Sequence, residues 1–490
     1  MKKIAIVGSG IAGLAASIRL RNSGYEVDVF EANEYPGGKL SQVKLGAYRF
    51  DAGPSLFTMP HFVDAIFLDT NKNPEDYFTY FRKEIICKYF YEDGTKFTAY
   101  SDKNKFAKHA SEVFKTNKEE ILNYFANNKK KYDLTASLFL EKSLHKAETF
   151  LNKQTVKALA NLGSLDVLST LNTVNENAFS DARLVQFFNR FATYNGSSPY
   201  LTPGIMSMIP HLEQHFGTFF PVKGMHHITM SLYKLATEIG VNFFFNHKVE
   251  EIKVKNKKTE GVIANGAFHA SDIVISNMDV VPTYRKLLKN EKAPEKVLTQ
   301  ERSSSALIFY WGIKKQFKEL DLHNIFFSEN YKEEFDTIFQ KQEIYEDPTV
   351  YINITSKEKK DDAPKDCETW FVMINVPGNT GQNWKELVSK SRQQILKKLS
   401  RLLQVNIEEL IEEEAILDPV LIEQKTQSYQ GSLYGAASNN KFAAFLRHPN
   451  FSQRIENLYF CGGSVHPGGG IPLCLLSGKI VTELIEKKYN

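Results

Sequence analysis

KIAIVGSGIAGLAASIRLRNSGYEVDVFE, residues 3–31, decides the fold. Lys3 to Val7 is a short apolar run of buried-strand type, and Gly8, Gly10 and Gly13 follow it at GxGxxG spacing. Leu14, Ile18 and Arg21 then continue at helical intervals, and Tyr25 to Glu31 reads as a second strand ending in an acid. Strand, glycine turn, helix and strand make a parallel βαβ unit. In such a unit the first glycine allows the tight turn. The second lets a pyrophosphate approach the backbone, and the third lets helix and strand pack closely. The helix N-terminus adds free N–H groups and a partial positive charge. Glu31 stands at about the 20-residue distance expected of a ribose contact, and an acid there favours an unphosphorylated ribose. A turn without a ligand is the alternative, and the flanking strand and helix argue against it.

Outward from this unit, Gly37-Gly38-Lys39 places a second glycine turn soon after Glu31, and Phe50-Asp-Ala-Gly-Pro-Ser-Leu56 follows it. A plain NAD domain has no use for that turn, whereas a flavin, with its ribityl chain and ring, needs more backbone close to it. Residues 84–215 read as a long, largely helical stretch in which Lys-rich faces alternate with apolar runs such as Leu138-Phe-Leu140 and Phe187-Phe188. After the Pro221 to Met225 turn, Ile228, Leu232, Leu235 and Ile239 mark one face of a helix. Val249 to Val254, Gly261 to Ala264 and Ala267 to Ala270 read as strands, the last two joined by an Asn265-Gly266 hairpin turn. Ile273 to Asn277 reads as a further strand. Residues 286–425 mix strands (Ala306 to Trp311, Trp370 to Val376) with charged helices (Trp384 to Leu403), and the acidic run Glu408 to Glu414 reads as a solvated helix face. Asn457 to Ile485 is strand, glycine loop and helix. The glycine segments lie at opposite ends of the chain. The expected organisation is therefore a discontinuous FAD-binding domain from 1–83, 216–285 and 426–490, with a substrate and membrane-contacting domain from 84–215 and 286–425.

The chain has 490 residues, 42% hydrophobic and 24% charged, an ordinary globular profile with ample core. Its net charge of +4 suits an anionic membrane surface but is too small for a nucleic-acid partner, and no nucleic-acid-reading motif stands out. The four cysteines (Cys87, Cys367, Cys461, Cys474) form no CxxC pair, which argues against zinc or a disulfide framework and for a reducing compartment. Met1-Lys2-Lys3 and the apolar run after it imitate a secretion signal, but Arg19 and Arg21 interrupt that run. No stretch reaches the roughly 18 apolar residues that cross a bilayer. The expectation is a cytoplasmic protein, soluble or attached to the membrane periphery.

Four segments carry a resemblance: GSGIAGL at 8–14, EANEYPGGK at 31–39, FDAGPSLFTMP at 50–60 and NLYFCGGSVHPGGGIP at 457–472. With FFPVKGM at 219–225 and ASDIVISN at 270–277, they resemble the bacterial phytoene desaturase family of carotenoid desaturases and isomerases over essentially the whole chain. HPGGGIP at 466–472 is its most specific element and separates it from amine oxidases, which share the first motif. FDAGPSLFTMP most resembles the 1-hydroxycarotenoid 3,4-desaturase branch. The resemblance implies an α/β, Rossmann-type FAD-binding domain of the amine-oxidase-like flavoprotein fold, with an inserted α+β substrate domain. It implies FAD contacts at Ala12, Glu31, Lys39, Ser55, Leu56, Val249, Asn277, Gly463, Gly470, Ile471 and Pro472. The residues support several of these independently. Val249 enters a hairpin where its backbone suits adenine, and Gly463 ends an apolar strand where a diphosphate could cross. Gly470-Ile-Pro472 starts a helix, with Pro tolerated in the first turn, whose N–H groups could face the flavin pyrimidine ring.

Inserting a C=C into a polyene removes a hydride from an allylic carbon and then a proton from its neighbour. The cation between these steps is delocalised, so no strong base is needed, and the cofactor carries the hard chemistry. Accordingly no Ser-His-Asp set, metal cluster or carboxylate pair stands out, and no catalytic residue is assigned. His466 reads as a base or as packing, Asp51 as part of the flavin pocket or, preferably, as a turn cap, and His226 and His227 as structural. Phe187, Phe188, Phe191, Tyr194, Phe216, Phe219 and Phe220 suit an apolar tunnel, though each reads first as core. The carotenoid substrate must come from a bilayer, so a membrane lipid surface is expected as a partner, with oxygen or a quinone as electron acceptor. Phytoene desaturation, carotenoid isomerisation and a flavin-free prenyl-lipid carrier are the competing readings.

Overall fold

The computed structural model describes residues 1–140, 142–146, 165–440 and 447–489, without the side chains of 137–139. The side chains of the Leu138-Phe139 run therefore lie outside the described residues, while its backbone ends the helix Lys118–Phe139. Five parallel strands form the first sheet, in the order Leu458–Phe460, Ile273–Ser276, Lys3–Val7, Glu26–Phe30 and Asn242–Phe244. Alternate side chains of each strand point to opposite faces. Ile4 and Ile6 pack with Leu14 and Ile18 of the helix Ile11–Asn22, Leu232 of His226–Glu238 and Val481 of Ile471–Tyr489. Ala5, Val7 and Phe30 face Ile252 and Val262 of a three-stranded antiparallel sheet, Val249–Lys255, Lys258–Ala264 and Ala267–Ala270. The Asn265-Gly266 turn joins its last two strands with both residues at positive φ, 49° and 76°. The N- and C-terminal helices touch closely. A Cβ on Gly478 would lie 2.8 Å from the Ala12 carbonyl oxygen, so glycine is what lets the two ends of the chain meet.

A second sheet has seven strands, in the order Ile411–Leu417, Ser305–Ile313, Glu368–Val376, Val350–Asn353, His323–Phe326, Ile85–Phe90 and Lys96–Tyr100. On one face Leu307, Phe309, Trp370 and Val372 pack against Ile395 and Leu399 of the helix Trp384–Leu403. The other face carries two cross-strand rows, Ile308–Met373–Tyr351–Ile325 and Tyr310–Phe371–Asn353–His323.

Two expectations are corrected here. Residues 85–100 are an antiparallel hairpin, not helix. Its signal is Asp93-Gly94 between two apolar runs, with Gly94 at φ +85°. The acidic run is a short 3₁₀ turn, Glu408–Leu410, followed by the strand Ile411–Leu417. Partly buried and exposed residues alternate along that strand with a period of two, the spacing of an edge strand. Its glutamates leave the outer edge charged, which discourages pairing with another chain.

Candidate functional site

The N-terminal glycine turn is shaped by a carboxylate. Glu31, at the end of the second strand, accepts from Ser9 N–H (2.9 Å) and Ser9 Oγ (2.8 Å) with one oxygen. Its other oxygen accepts from Asn33 N–H (2.9 Å) and Nδ2 (2.8 Å). A ribose hydroxyl at Glu31 would compete with Ser9 Oγ and Asn33 Nδ2 for these lone pairs. Gly8 has φ +95°, which only glycine adopts without strain. Gly10 has φ −62°, so glycine is needed there for close approach and not for its dihedral.

The second glycine turn lies directly against the first. Gly37 N–H donates to Ser9 C=O at 2.9 Å, and a Cβ on Gly38 would stand 3.6 Å from Gly10 Cα. No side chain caps the helix Ile11–Asn22 and no acid lies in its first turn, leaving its N-terminal amides for an anion.

Asn277 joins these turns to the C-terminal segment. Its Nδ2 donates to Gly8 C=O at 3.1 Å. Cβ atoms on Gly10 and Gly13 would lie 2.9 and 2.8 Å from Nδ2, and one on Gly462 would lie 2.8 Å from Oδ1. Gly470, at φ +102° before the helix Ile471–Tyr489, has nothing within 4 Å of its Cβ position, so its open side faces space that a ligand ring can fill.

Gly8, Gly10, Ala12, Glu31, Gly38 and Lys39 all line one cavity of about 1120 Å³. Ser55, Leu56, Val249 and Asn277 line it too, as do Gly463, Gly470, Ile471 and Pro472. Gly13 does not; a Cβ there would meet Gly8 C=O at 2.3 Å, so it is a packing glycine. Lys39 Nζ donates to the carbonyls of Ser432 and Leu433, both at 2.9 Å, and burial lowers its pKa to about 8. Ser55 Oγ bonds the Tyr351 hydroxyl at 2.7 Å. These residues fit a flavin dinucleotide: bare backbone at two glycine turns, an uncapped helix end, and open space before a second helix.

The same cavity extends over the seven-stranded sheet, where Ile308, Tyr310, Ile325, Tyr351, Phe371 and Met373 form its floor. Arg190, Tyr194 and Glu213 also line it. Arg190 Nη2 lies 3.3 Å from Glu213 Oε2, and the Tyr194 hydroxyl donates to Glu213 Oε1. Burial raises the Glu213 pKa, and Arg190 opposes that shift. Sequence reasoning missed this polar wall. The one signal available was a charge set inside an apolar run, as at Phe187-Phe-Asn-Arg190-Phe.

Of the aromatic tunnel candidates, only Tyr194 lines the cavity; Phe187, Phe188 and Phe191 are core. Asp51 accepts from Met225 N–H (2.8 Å) and His226 N–H (2.9 Å), and so caps the helix His226–Glu238. His466 lies outside the cavity wall, with Nε2 2.8 Å from Lys142 C=O, which is a packing role. Among the described residues no group of His, Cys, Asp and Glu could hold a metal.

Burial lowers the pKa of His323 to about 3, and of His448 and His466 to about 4. The unfolded chain takes up these protons near pH 6.5, and the folded chain does not until about 4 or below. Stability therefore falls as pH drops below 6.5, by as much as ~1.4 kcal/mol per pH unit for each histidine. Urea midpoints at pH 6.5 and 5, above the ordinary carboxylate range, check this. An unchanged midpoint contradicts it.

Comparison with known proteins identifies the family. The model of the flavin containing amine oxidoreductase family matches residues 11–485. The chain is 59% identical over 485 residues to the 1-hydroxycarotenoid 3,4-desaturase of Flavobacterium sp. (strain P99-3), covering 99% of each chain. It is 31% identical to the 4,4'-diapolycopene oxygenase of Methylomonas sp., covering 99% of this chain and 98% of that one. A solved structure of a putrescine oxidase variant superposes with a TM-score of 0.67 at 17% identity over 99% of both chains, a likeness of fold. The chain belongs to the flavin containing amine oxidoreductase family and, within it, to the carotenoid desaturases: it is an oxidoreductase with FAD as cofactor.

Proposed function

We propose that this protein desaturates the C3–C4 bond of a 1-hydroxylated carotenoid end group. The observation that carries the reading is the continuity of one cavity from the glycine turns to an apolar floor on the second sheet. The name of the 59% identical relative points to the same substrate class. Bound FAD supplies the hydride acceptor. The chain's part is to hold the polyene over Ile308, Ile325 and Met373. The hydride leaves the allylic C4 and the proton leaves C3 to solvent. His323 is neutral and no carboxylate pair is needed, because the delocalised cation is itself a strong acid. Incubating the FAD-loaded protein with phytoene, lycopene and 1-hydroxylated carotenoids in liposomes tests the reading. The expected product is lighter by two hydrogens, from the 1-hydroxylated substrate alone. A product of unchanged mass indicates isomerisation and overturns it.

Substrate delivery from a bilayer follows from the insolubility of carotenoids, and the protein sits on the cytoplasmic membrane face in this reading. Among the described residues no helix is long and apolar enough to cross a membrane. Leu168 is 81% exposed and Leu201 42%. Their segments are joined by Leu171 N–H to Thr202 C=O and Gly204 N–H to Ser169 C=O, both 2.8 Å, which makes one apolar corner suited to monotopic contact. Oxygen or a quinone would serve as the electron acceptor. Liposome flotation is expected to carry wild type to the lipid fraction and to lose a Leu168→Glu, Leu201→Glu variant. Equal flotation of both removes this corner from the account.

A further inference from the structure

The apolar chamber contains a donor with nothing to donate to. His323, 3% exposed, lies on the cavity wall in the strand His323–Phe326. Its Nδ1 is 2.7 Å from the Tyr351 hydroxyl and 3.2 Å from Asn353 Nδ2. An amide nitrogen only donates, so Nδ1 is the acceptor, and the ring of a neutral histidine then carries its proton on Nε2. That Nε2 is buried and has no hydrogen-bond partner among the described residues. A buried donor left unpaired is unfavourable, and an all-hydrocarbon ligand would leave it so. On the other side Tyr351 bonds Ser55, which the family resemblance puts against FAD, so two hydrogen bonds of 2.7 Å tie the histidine to that end of the cavity.

We propose that His323 Nε2–H donates to the tertiary hydroxyl oxygen of the substrate end group and so sets which carbon meets the flavin. The inference rests on the 1-hydroxycarotenoid reading above. In that substrate the hydroxyl-bearing C1 is separated from the C3–C4 bond by C2 alone. A group that grips the hydroxyl must therefore lie close to the redox centre, as the Ser55–Tyr351–His323 chain requires. A second buried donor without a hydrogen-bond partner, Arg190 Nε, belongs to a residue of the same chamber wall. Burial holds the His323 ring neutral, with smaller contributions from Lys83 and Arg190, and so keeps the Nε2 proton in place. His323 acts here as a positioning residue: no bond of it breaks, and the hydride and proton follow the paths already given.

The test uses FAD-loaded, full-length protein in liposomes with two substrates, a 1-hydroxycarotenoid and its counterpart lacking the hydroxyl. The readout is the ratio of their kcat/KM values. His323→Leu is expected to lower that ratio by about tenfold to a hundredfold, and His323→Gln, whose amide N–H takes the place of Nε2–H, to restore most of it. Flavin content and melting temperature of each variant identify any misfolding, and His323→Gln then carries the test alone. If His323→Leu depresses both substrates equally, or neither, the hydroxyl contact is overturned while the function reading stands. If wild type leaves the 1-hydroxycarotenoid unreacted, the function reading fails and the contact falls with it.

Discussion

Gly10→Val is expected to yield a colourless protein. Gly10 has an ordinary φ of −62°, so valine adds no backbone strain and the whole effect is steric. Its Cβ would lie 2.9 Å from Asn277 Nδ2, and a branched side chain would crowd the backbone that a pyrophosphate must approach. Pyrophosphate approach to the helix N-terminus would then be blocked. Hydrogen bonds to a charged group contribute about 1.5–3 kcal/mol each. Losing two weakens FAD binding by at least about a hundredfold. The helix Ile11–Asn22 buries its ten residues from Ile11 to Leu20, and packing of that kind survives a change at its cap. Flavin content after purification and FAD titration of the apoprotein measure the effect. A yellow Gly10→Val protein with wild-type affinity contradicts the placement of the pyrophosphate.

Asn277→Asp is expected to separate binding from folding. Aspartate keeps the volume that Gly10, Gly13 and Gly462 pack around, but it cannot donate to Gly8 C=O, now 3.1 Å from Nδ2. A carboxylate there also faces the carbonyl and sits beside the expected diphosphate. The lost hydrogen bond costs about 1–3 kcal/mol of stability. The added repulsion falls on the ligand, and FAD affinity drops by about tenfold to a hundredfold. Asn277→Ala removes the same donor without the charge, so it should lose stability by a similar amount and FAD affinity by less. Parallel denaturation and FAD titration of the two variants give the comparison. Equal FAD affinities would show that Asn277 acts only on the fold.

The βαβ unit was legible because its signals are local. Apolar strand, glycine spacing and helix lie within the 29 residues from Lys3 to Glu31, and each answers to one backbone requirement. The hairpin at Asn265-Gly266 was legible for the same reason. Residues 85–100 were misread with the Lys-rich, largely helical stretch 84–215, while Asp93-Gly94 marked a turn. The acidic run was misread by composition, since the five glutamates of Glu408 to Glu414 conceal a period of two. The polar wall was legible only as the lone Arg190 charge inside an apolar run, not as a meeting of groups. His323 and Tyr351 meet through strand register, and Arg190 and Glu213 through packing between segments. No spacing along the chain encodes either meeting. Glu31 was placed by its distance from the glycines, but its grip on Ser9 and Asn33 needed coordinates.

A crystal structure of the protein with FAD bound tests the central claim most directly. The account predicts pyrophosphate density over Gly10 and Gly38, and the pyrimidine edge of the ring at Gly470 to Pro472. The opposite end of the ring should face the floor formed by Ile308 and Tyr351. Flavin density with the diphosphate away from both glycine turns, or with the ring turned out of the apolar chamber, would contradict it.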